Sequence, residues 1–421
     1  MVIVFLYIFG PVFRPLGNYV DLIFFTSFGL IIYSRFKGMR IVPKYLMYFT
    51  PLFVLFFYGA FLVSFKIDSN IGIIMSLLLK PLRIIITIMG GFSLAFIMLK
   101  WNSKRFNQDA LRYVFIAILI HAIIMLIQFN NPVFKDWIYS FTFRGEFRSS
   151  FDYNFRMGGL SGGSGGAVLS VVQSLGVLII PFLWKHCKGS FKIILVIAGI
   201  MIFASVLVCG RSGLWAIIFG LPLSFLWLNG FSYSKTLIKI PFLIILFSGL
   251  YFLLLSYYGT IDKDTNIYLS LGRTLDIFIN YFKGGDFHSP TVTVLKSHIL
   301  FPTDIKNFLM GDGEHLLGKQ FDMELTSDIG YVKNLWSFGF FGLMIYVIPL
   351  VALYRFVLKY ISTISISKPL LFFIFIMFVF HAKESFLYVR MYLSIISLLL
   401  GVFYIEKVKI VQKHNILYSP K

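Results

Sequence analysis

Long apolar runs separated by short polar connectors dominate the pattern along the chain. A helix that crosses a bilayer needs about 20 predominantly apolar residues. The candidate spans are 1–13, 19–34, 45–65, 82–99, 113–129, 162–184, 193–210, 212–229, 240–257, 334–354, 369–382 and 385–405. The pattern therefore predicts an all-α polytopic membrane protein with about twelve transmembrane helices. Segment 1–13 is the shortest and is interpreted as a retained first helix rather than a removed signal; Pro11 within it and Pro15 just after it leave a half-helix as an alternative.

Basic residues gather in alternate connectors between these spans. The six basic segments are Arg35–Lys44, Lys100–Arg112, Lys185–Lys192, Lys235–Lys239, Arg355–Lys368 and Lys407–Lys421. They hold 20 basic residues, and the acidic residues are two, Asp109 in the second segment and Glu406 directly before the last. Because lysine and arginine concentrate in cytoplasmic loops, this side is predicted to be the cytoplasm, with both termini there. The rule also explains the net charge of +20 without nucleic-acid binding.

Composition supports a membrane-embedded chain rather than a soluble one. The sequence is 58% hydrophobic and 13% charged, with a mean hydropathy of +0.85. A soluble domain carries roughly 25% charged residues. A chain so poor in charge cannot cover a surface that faces water, so the lipid bilayer is its expected surroundings.

Two long segments face the side opposite the basic connectors. The predicted organisation is helices 1–5 in 1–129, an outer loop at 130–161, helices 6–9 in 162–257, a large outer loop at 258–333, and helices 10–12 with a cytoplasmic tail in 334–421. Within the large loop, residues 266–283 place apolar side chains at helical spacing. This pattern predicts an amphipathic helix on the membrane surface or over a cavity.

Several arginines lie outside the basic connectors and require another explanation. They are Arg83, Arg144, Arg148, Arg156, Arg211, Arg273 and Arg390. An arginine in or beside a span usually faces a partner or a wet cavity, and its planar fork suits a phosphate. As a set they favour an anionic ligand. Each one alone could equally snorkel to lipid headgroups or pair with a carboxylate such as Glu146, Asp276 or Glu384.

Other candidate groups accompany the arginines. The segment RMGGLSGGSGG at 156–166 is either an anion-binding backbone nest or a flexible entry to the sixth span. Asp328 and the large-loop histidines His288, His298 and His315 are candidates for a general base near the outer surface. His121 and His381 are interpreted as core or helix-end residues. No histidine spacing matches a zinc site, so no metal is expected.

The layout and four local runs resemble the O-antigen and capsular polysaccharide polymerases of the Wzy type, which share a superfamily with O-antigen ligases. The runs are RMGGL at 156–160, RSGL at 211–214, GDG at 311–313 and DIGY at 328–331. Some members carry, in each of two outer loops, an arginine followed by ten residues and a glycine. Arg148 with Gly159 and Arg273 with Gly284 match that spacing in the two predicted outer loops.

The resemblance implies a metal-independent and cofactor-free glycosyltransferase in the plasma membrane. Its substrate would be an oligosaccharide repeat unit on undecaprenyl diphosphate, used at the outer face to build O-antigen or capsule. A chain-length regulator and a flippase would be candidate partners. Arginines would hold the departing diphosphate, with Arg156, Arg211 and Arg273 first and Arg148 and Arg390 second. Asp328 or His315 would activate the acceptor hydroxyl.

Three other functional hypotheses remain open. Ligases of the superfamily carry a His–Asn pair before the span that follows the large loop, where this chain has Asp328 and Ile329. This departure favours a polymerase, although His315 keeps the ligase in view. A lipid-linked oligosaccharide flippase has a similar length and span number, but the large predicted loop argues against it. A structural membrane protein would be indifferent to the loss of its arginines.

Overall fold

The computed structural model describes residues 1–12, 21–39, 44–65, 71–101, 106–142, 156–161, 166–187, 189–228, 299, 301–313 and 329–417. Within these ranges the elements are all helical. They are α1 Val2–Phe9, α2 Leu22–Phe36, a 3₁₀ helix Lys44–Phe49, α3 Pro51–Ser64, α4 Ile71–Trp101, α5 Phe106–Asn130, α6 Pro132–Phe141, α7 Ala167–Trp184, α8 Ser190–Leu207, α9 Arg211–Leu228, α10 Ile305–Met310, α11 Gly330–Leu358, α12 Ser367–His381 and α13 Arg390–Leu417.

Seven helical stretches in the described ranges are long and apolar enough to cross a membrane. They are Tyr45–Ser64, Ile74–Trp101, Gln108–Asn130, Ala167–Trp184, Ser190–Leu207, Arg211–Leu228 and Gly330–Leu358. Helices α2 and α12 are apolar but shorter. The prediction of a polytopic α-helical membrane protein is confirmed, and the count of twelve stays a prediction. The ninth predicted span, 240–257, and the amphipathic segment 266–283 lie outside the described residues.

The outward faces of the long helices are apolar, as lipid exposure requires. Along α8, Ile193, Ile197 and Ile200 are 64%, 55% and 62% exposed, at a spacing that places them on one face. The same helix buries Ala198 and Ile202 on its other side. A contiguous isoleucine face of this kind would be unfavourable in water, whereas hydrocarbon chains solvate it well.

The chain forms two compact units. The first comprises Met1–Leu22 and Leu111–Val292, and the second comprises Ile23–Ala110 and Thr293–Lys421. In the first unit, α7 packs against α8 and α9. Small residues permit this close approach: Gly176 faces Ile202, and the backbone N–H of Gly213 donates to Ser170 Oγ at 2.9 Å. Small residues at helix contacts are typical of membrane proteins, where van der Waals packing drives association.

In the second unit, α4 and α13 make the most extensive helix pair. Gly401 of α13 lies against the backbone of Phe92 in α4, and the rings of Phe92 and Tyr404 are 5.3 Å apart. A hydrogen bond of 3.0 Å joins Ser34 Oγ to Ser93 Oγ and links α2 to the same helix. Helix α4 is therefore the centre of this unit.

Residues from four of the basic connectors meet at one end of the second unit. Lys100 Nζ donates to the carbonyl oxygen of Lys37 at 2.5 Å. Lys407 Nζ lies 4.4 Å from the ring centroid of Phe356, next to Arg355. The ring of Tyr45 lies 5.7 Å from that of Tyr404. The positive-inside rule requires such gathering of cytoplasmic connectors, and the assignment of this end to the cytoplasm stays a prediction.

Two differences from the sequence prediction change the description of the outer side. Helix α4 begins at Ile71 rather than near 82, and Pro81 lies inside it, so Arg83 is within the helix instead of at its outer end. The predicted outer loop 130–161 contains α6, which begins with Pro132 and is capped by Asn131 Oδ1, 3.0 Å from the N–H of Phe134. Proline at the first helical position and asparagine before it favour a helix start as well as a turn.

Candidate functional site

The first candidate site begins with three polar side chains on one face of α4. Lys80, Arg83 and Thr87 follow one another at intervals of three and four residues, which places them on the same side of a helix. Lys80 is exposed and its ammonium group lies 5.1 Å from the ring centroid of Phe56 in α3. Arg83 is half-buried. The positive charges of Lys80 and Arg83 repel each other, so an anion between them is favourable.

The start of α13 faces this side of α4. Its first residue is the half-buried Arg390, preceded by Tyr388 in the left-handed region with φ of 61°. Such a backbone is uncommon for a bulky residue and requires support from its surroundings. The hydroxyl of Tyr388 supplies it by donating to the carbonyl oxygen of Tyr346 at 2.8 Å, in the core of the unit. The turn that directs Arg390 towards α4 is thus firmly anchored.

Together these residues enclose a cavity of about 280 Å³, which we call the cationic pocket. Its lining consists of Lys80, Arg83, Ile84, Thr87, Tyr388, Val389, Arg390 and Leu393. Three cationic side chains around one hollow offer ammonium and guanidinium donors to a group with several anionic oxygens. Arg390 was predicted from the sequence as an anion-binding residue, and Lys80 was missed. The signal for Lys80 was its place in an apolar run, three residues before Arg83.

His381 supports this turn from the core and does not face the pocket. Its Nδ1 accepts hydrogen bonds from the N–H groups of Phe386 and Leu387 at 2.9 and 3.2 Å. A neutral ring with Nδ1 as acceptor carries its proton on Nε2, which is 2.9 Å from the side-chain amide of Asn334. The structure places Nδ2 of Asn334 at this distance, and a hydrogen bond donated by Nε2–H requires the flipped amide, with its oxygen facing the ring. Both ring nitrogens are occupied in a fully buried residue, which confirms the interpretation of His381 as a core residue.

The second candidate site lies in the first unit, around the segment Arg156–Ser161. The N–H of Met157 donates to the carbonyl oxygen of Val208 at 3.0 Å, pairing this segment with the residues that follow α8. Gly159 makes two bonds with Gln128: its N–H donates to Oε1 at 2.9 Å and its carbonyl accepts from Nε2 at 3.4 Å. The buried amide of Gln128 therefore pairs with the backbone N–H and carbonyl of Gly159. Such pairing is needed because this segment is not helical and its apolar surroundings offer no other hydrogen-bond partners.

His121 fills the space beneath this segment. Its ring stacks on Phe9 with centroids 4.2 Å apart, and its Nε2 accepts from the N–H of Leu160 at 3.3 Å. His121 is fully buried, which confirms its interpretation as a core residue. Gly159 has φ of 57°, and a Cβ there would overlap the imidazole. Position 159, a predicted motif position, therefore requires glycine for two reasons: its φ is positive, and the imidazole of His121 leaves no room for a Cβ.

Arg156 and Arg211 belong to the same end of the first unit. The hydrogen bond between Met157 and Val208 lies one residue from Arg156 and three from Arg211, which begins α9. Both arginines are half-buried. This pair and the cationic pocket occupy different units. Of the other predicted site residues, Arg148, Arg273, Gly284, His315 and Asp328 lie outside the described residues.

Replacing Gly159 with alanine is expected to destabilise the first unit by more than the cost of backbone strain alone. Alanine in the left-handed region costs about 1–2 kcal/mol. Displacing His121 should add about 2 kcal/mol through the lost contacts of its ring and the unpaired N–H of Leu160. Thermal unfolding of the purified variant in detergent measures this loss.

Gly38→Ala is the matched control for that variant. Gly38 also has a positive φ, 89°, in the turn after α2, but its Cβ would meet nothing within 4 Å. The control variant should lose only the stability that backbone strain costs, about 1–2 kcal/mol. Equal losses in stability for the two alanine variants would contradict the proposed packing of Gly159 against His121.

Among the described residues, no group of three or more His, Cys, Asp or Glu side chains could hold a metal ion. No family model and no curated protein matches the chain.

Proposed function

We propose that the chain is a polysaccharide polymerase that transfers a growing glycan from undecaprenyl diphosphate to a lipid-linked oligosaccharide repeat unit. The observation that carries this proposal is the cationic pocket, a hollow lined by Lys80, Arg83 and Arg390 between apolar helices. A lipid diphosphate has a charged head and a hydrocarbon tail. A cationic hollow among lipid-facing helices suits both parts of that molecule.

The shared hollow distinguishes the pocket from independent snorkelling of three side chains. A snorkelling lysine or arginine extends its stem to reach the nearest headgroup layer. Lys80 and Arg83 instead lie inside α4, and Arg390 comes from a different helix to line the same cavity. Three cationic side chains that line one cavity suit a ligand with several anionic oxygens, such as a diphosphate.

In the proposed reaction, an acceptor hydroxyl oxygen attacks the anomeric carbon of the growing glycan. The bond between that carbon and the diphosphate oxygen breaks, and the diphosphate leaves with the bonding electrons. A base takes the hydroxyl proton, with Asp328 or His315 as candidates. The guanidinium groups stabilise the charge that develops on the leaving group, which is an electrostatic role that needs no metal. Arg156 and Arg211 are proposed to hold anionic parts of the lipid-linked substrates.

Surface glycans of cells carrying Arg211→Ala or Arg390→Ala distinguish this function from its competitors. We expect single repeat units in place of long chains, because repeat units are still delivered but no longer joined. A ligase defect would leave long chains on the carrier lipid, and a flippase defect would leave no glycan at the surface. Gel separation of the extracted glycans, with and without mild acid release from lipid, measures all three outcomes.

Arg355→Ala is the control for these variants. Arg355 is exposed at the opposite end of the second unit, next in sequence to Phe356, whose ring contacts Lys407. It should leave chain length unchanged. Long surface chains of normal amount in both the Arg211 and Arg390 variants, at normal protein levels, would remove the proposed site.

A further inference from the structure

A second charged hollow lies at the opposite end of α4, where the basic connectors meet. Its volume is about 340 Å³, and its lining consists of Tyr33, Lys37, Ile97, Lys100 and Trp101. The first two residues come from the end of α2 and the turn after it, and the other three from the last turn of α4. We call it the interfacial pocket, and it is separate from the cationic pocket described above.

The two ammonium groups of this pocket are held by contacts that leave donors available. Lys100 donates one hydrogen bond to the carbonyl oxygen of Lys37 and lies 5.2 Å from the ring of Phe96. Lys37 Nζ lies 5.5 Å from the ring of Tyr33. Each ammonium has three N–H donors, and within the described ranges neither contacts a carboxylate. Several N–H groups therefore remain for an added acceptor.

The aromatic residues mark the depth of the pocket in a membrane. Trp101 and Tyr33 are 63% and 44% exposed and stand at the ends of apolar helices. Tryptophan and tyrosine prefer the headgroup level, where one part of the ring meets hydrocarbon and the other meets water. Lysines beside them lie at the height of lipid phosphates, and clusters of this kind attract anionic lipids.

We propose that the interfacial pocket binds the headgroup phosphate of an anionic phospholipid. The phosphodiester would accept hydrogen bonds from Lys37 and Lys100, while the first carbons of the acyl chains lie along Ile97 and Trp101. This inference depends only on membrane insertion and not on the proposed polymerase activity. The ends of α2 and α4 carry partial negative charge, which weakens the local positive potential, so binding should be selective but exchangeable.

Lipid retention by the purified full-length chain tests the proposal. Native mass spectrometry in detergent would count bound dioleoylphosphatidylglycerol and dioleoylphosphatidylcholine on the parent protein and on a Lys37→Gln/Lys100→Gln variant. Each interfacial lysine strengthens binding to anionic lipid by about fivefold, so the double variant should bind phosphatidylglycerol about 25-fold more weakly. Phosphatidylcholine binding should not change. A Lys37→Arg/Lys100→Arg variant keeps both charges and should retain the phosphatidylglycerol, which separates charge loss from misfolding.

Lys192→Gln is the matched control, since Lys192 lies 5.1 Å from the ring of Trp184 at another basic connector. It should bind phosphatidylglycerol as the parent does. Equal phosphatidylglycerol affinity in the double glutamine variant would overturn the proposal. Inorganic phosphate that displaces the phosphatidylglycerol at equal concentration would also overturn it, because the site would then recognise free phosphate rather than a lipid.

Discussion

Replacing Arg83 or Arg390 with glutamine is expected to weaken pyrophosphate binding by the purified protein about 10- to 100-fold. Pyrophosphate represents the charged head of the proposed lipid substrate. Hydrogen bonds to charged groups contribute about 1.5–3 kcal/mol each, and glutamine keeps a donor while removing the charge. Arg83→Lys and Arg390→Lys should fall between the parent and the glutamine variants, because lysine keeps the charge without the planar fork. Isothermal titration calorimetry at fixed ionic strength measures the affinities.

Arg355→Gln provides the control for that titration, since it removes one positive charge at the far end of the same unit. Its affinity for pyrophosphate should equal that of the parent. The dependence on salt gives a second readout, because removing a pocket charge should flatten the decline of affinity with ionic strength. If Arg83→Gln, Arg390→Gln and Arg355→Gln all lower affinity equally, the binding reflects net charge and the cationic pocket is not the site.

The membrane architecture could be predicted from the sequence because each span carries its own signal. An apolar run of sufficient length forms a helix in lipid whatever its neighbours do, since the backbone must satisfy its own hydrogen bonds. The alternation of lysine and arginine between connectors is also local. It placed Lys37 and Lys100 on one side, and in the structure Lys100 donates a hydrogen bond to the carbonyl oxygen of Lys37.

The start of α4 could not be placed correctly because its signals conflict. Lys80 and Pro81 interrupt the apolar run, and both are usual signs of a helix end. The structure continues the helix through them, since Pro81 follows two full turns of helix and Lys80 reaches the cationic pocket. The sequence prediction began the span at 82 and so overlooked Lys80 as a partner of Arg83.

The grouping of the site residues could not be predicted, because it depends on contacts between residues that are far apart in the sequence. Arg390 and Arg83 are separated by most of the chain, and only the packing of α13 on α4 shows that they share a hollow. Gly159 was noted for its spacing from Arg148, but the structure requires glycine there because His121 of α5 fills the space next to it. The arginines could be recognised as candidates, and their grouping required the fold.

Gly339→Ala is expected to destabilise the second unit by about 3 kcal/mol or more. Gly339 interrupts α11 with φ of 70° and ψ of −177°, a conformation available essentially to glycine alone. A Cβ there would also overlap the carbonyl oxygen of Leu309 at the end of α10. Backbone atoms cannot rotate away as a side chain can, so the two segments would have to separate. Denaturant unfolding of the purified variant in detergent micelles measures the loss.

Separating α10 from α11 should also break neighbouring contacts, because further bonds and close approaches join these two helices. Gly311 lies against the backbone of Phe338, and the N–H of Asp312 donates to the carbonyl oxygen of Trp336 at 3.0 Å. Gly29→Ala is the matched control: Gly29 lies within α2 and its Cβ would meet nothing within 4 Å. Alanine there should leave stability equal or slightly raised, because it favours the helix. A Gly339→Ala variant as stable as Gly29→Ala would mean that α10 does not pack against the break in α11, and the arrangement described for Leu309–Gly313 would be wrong.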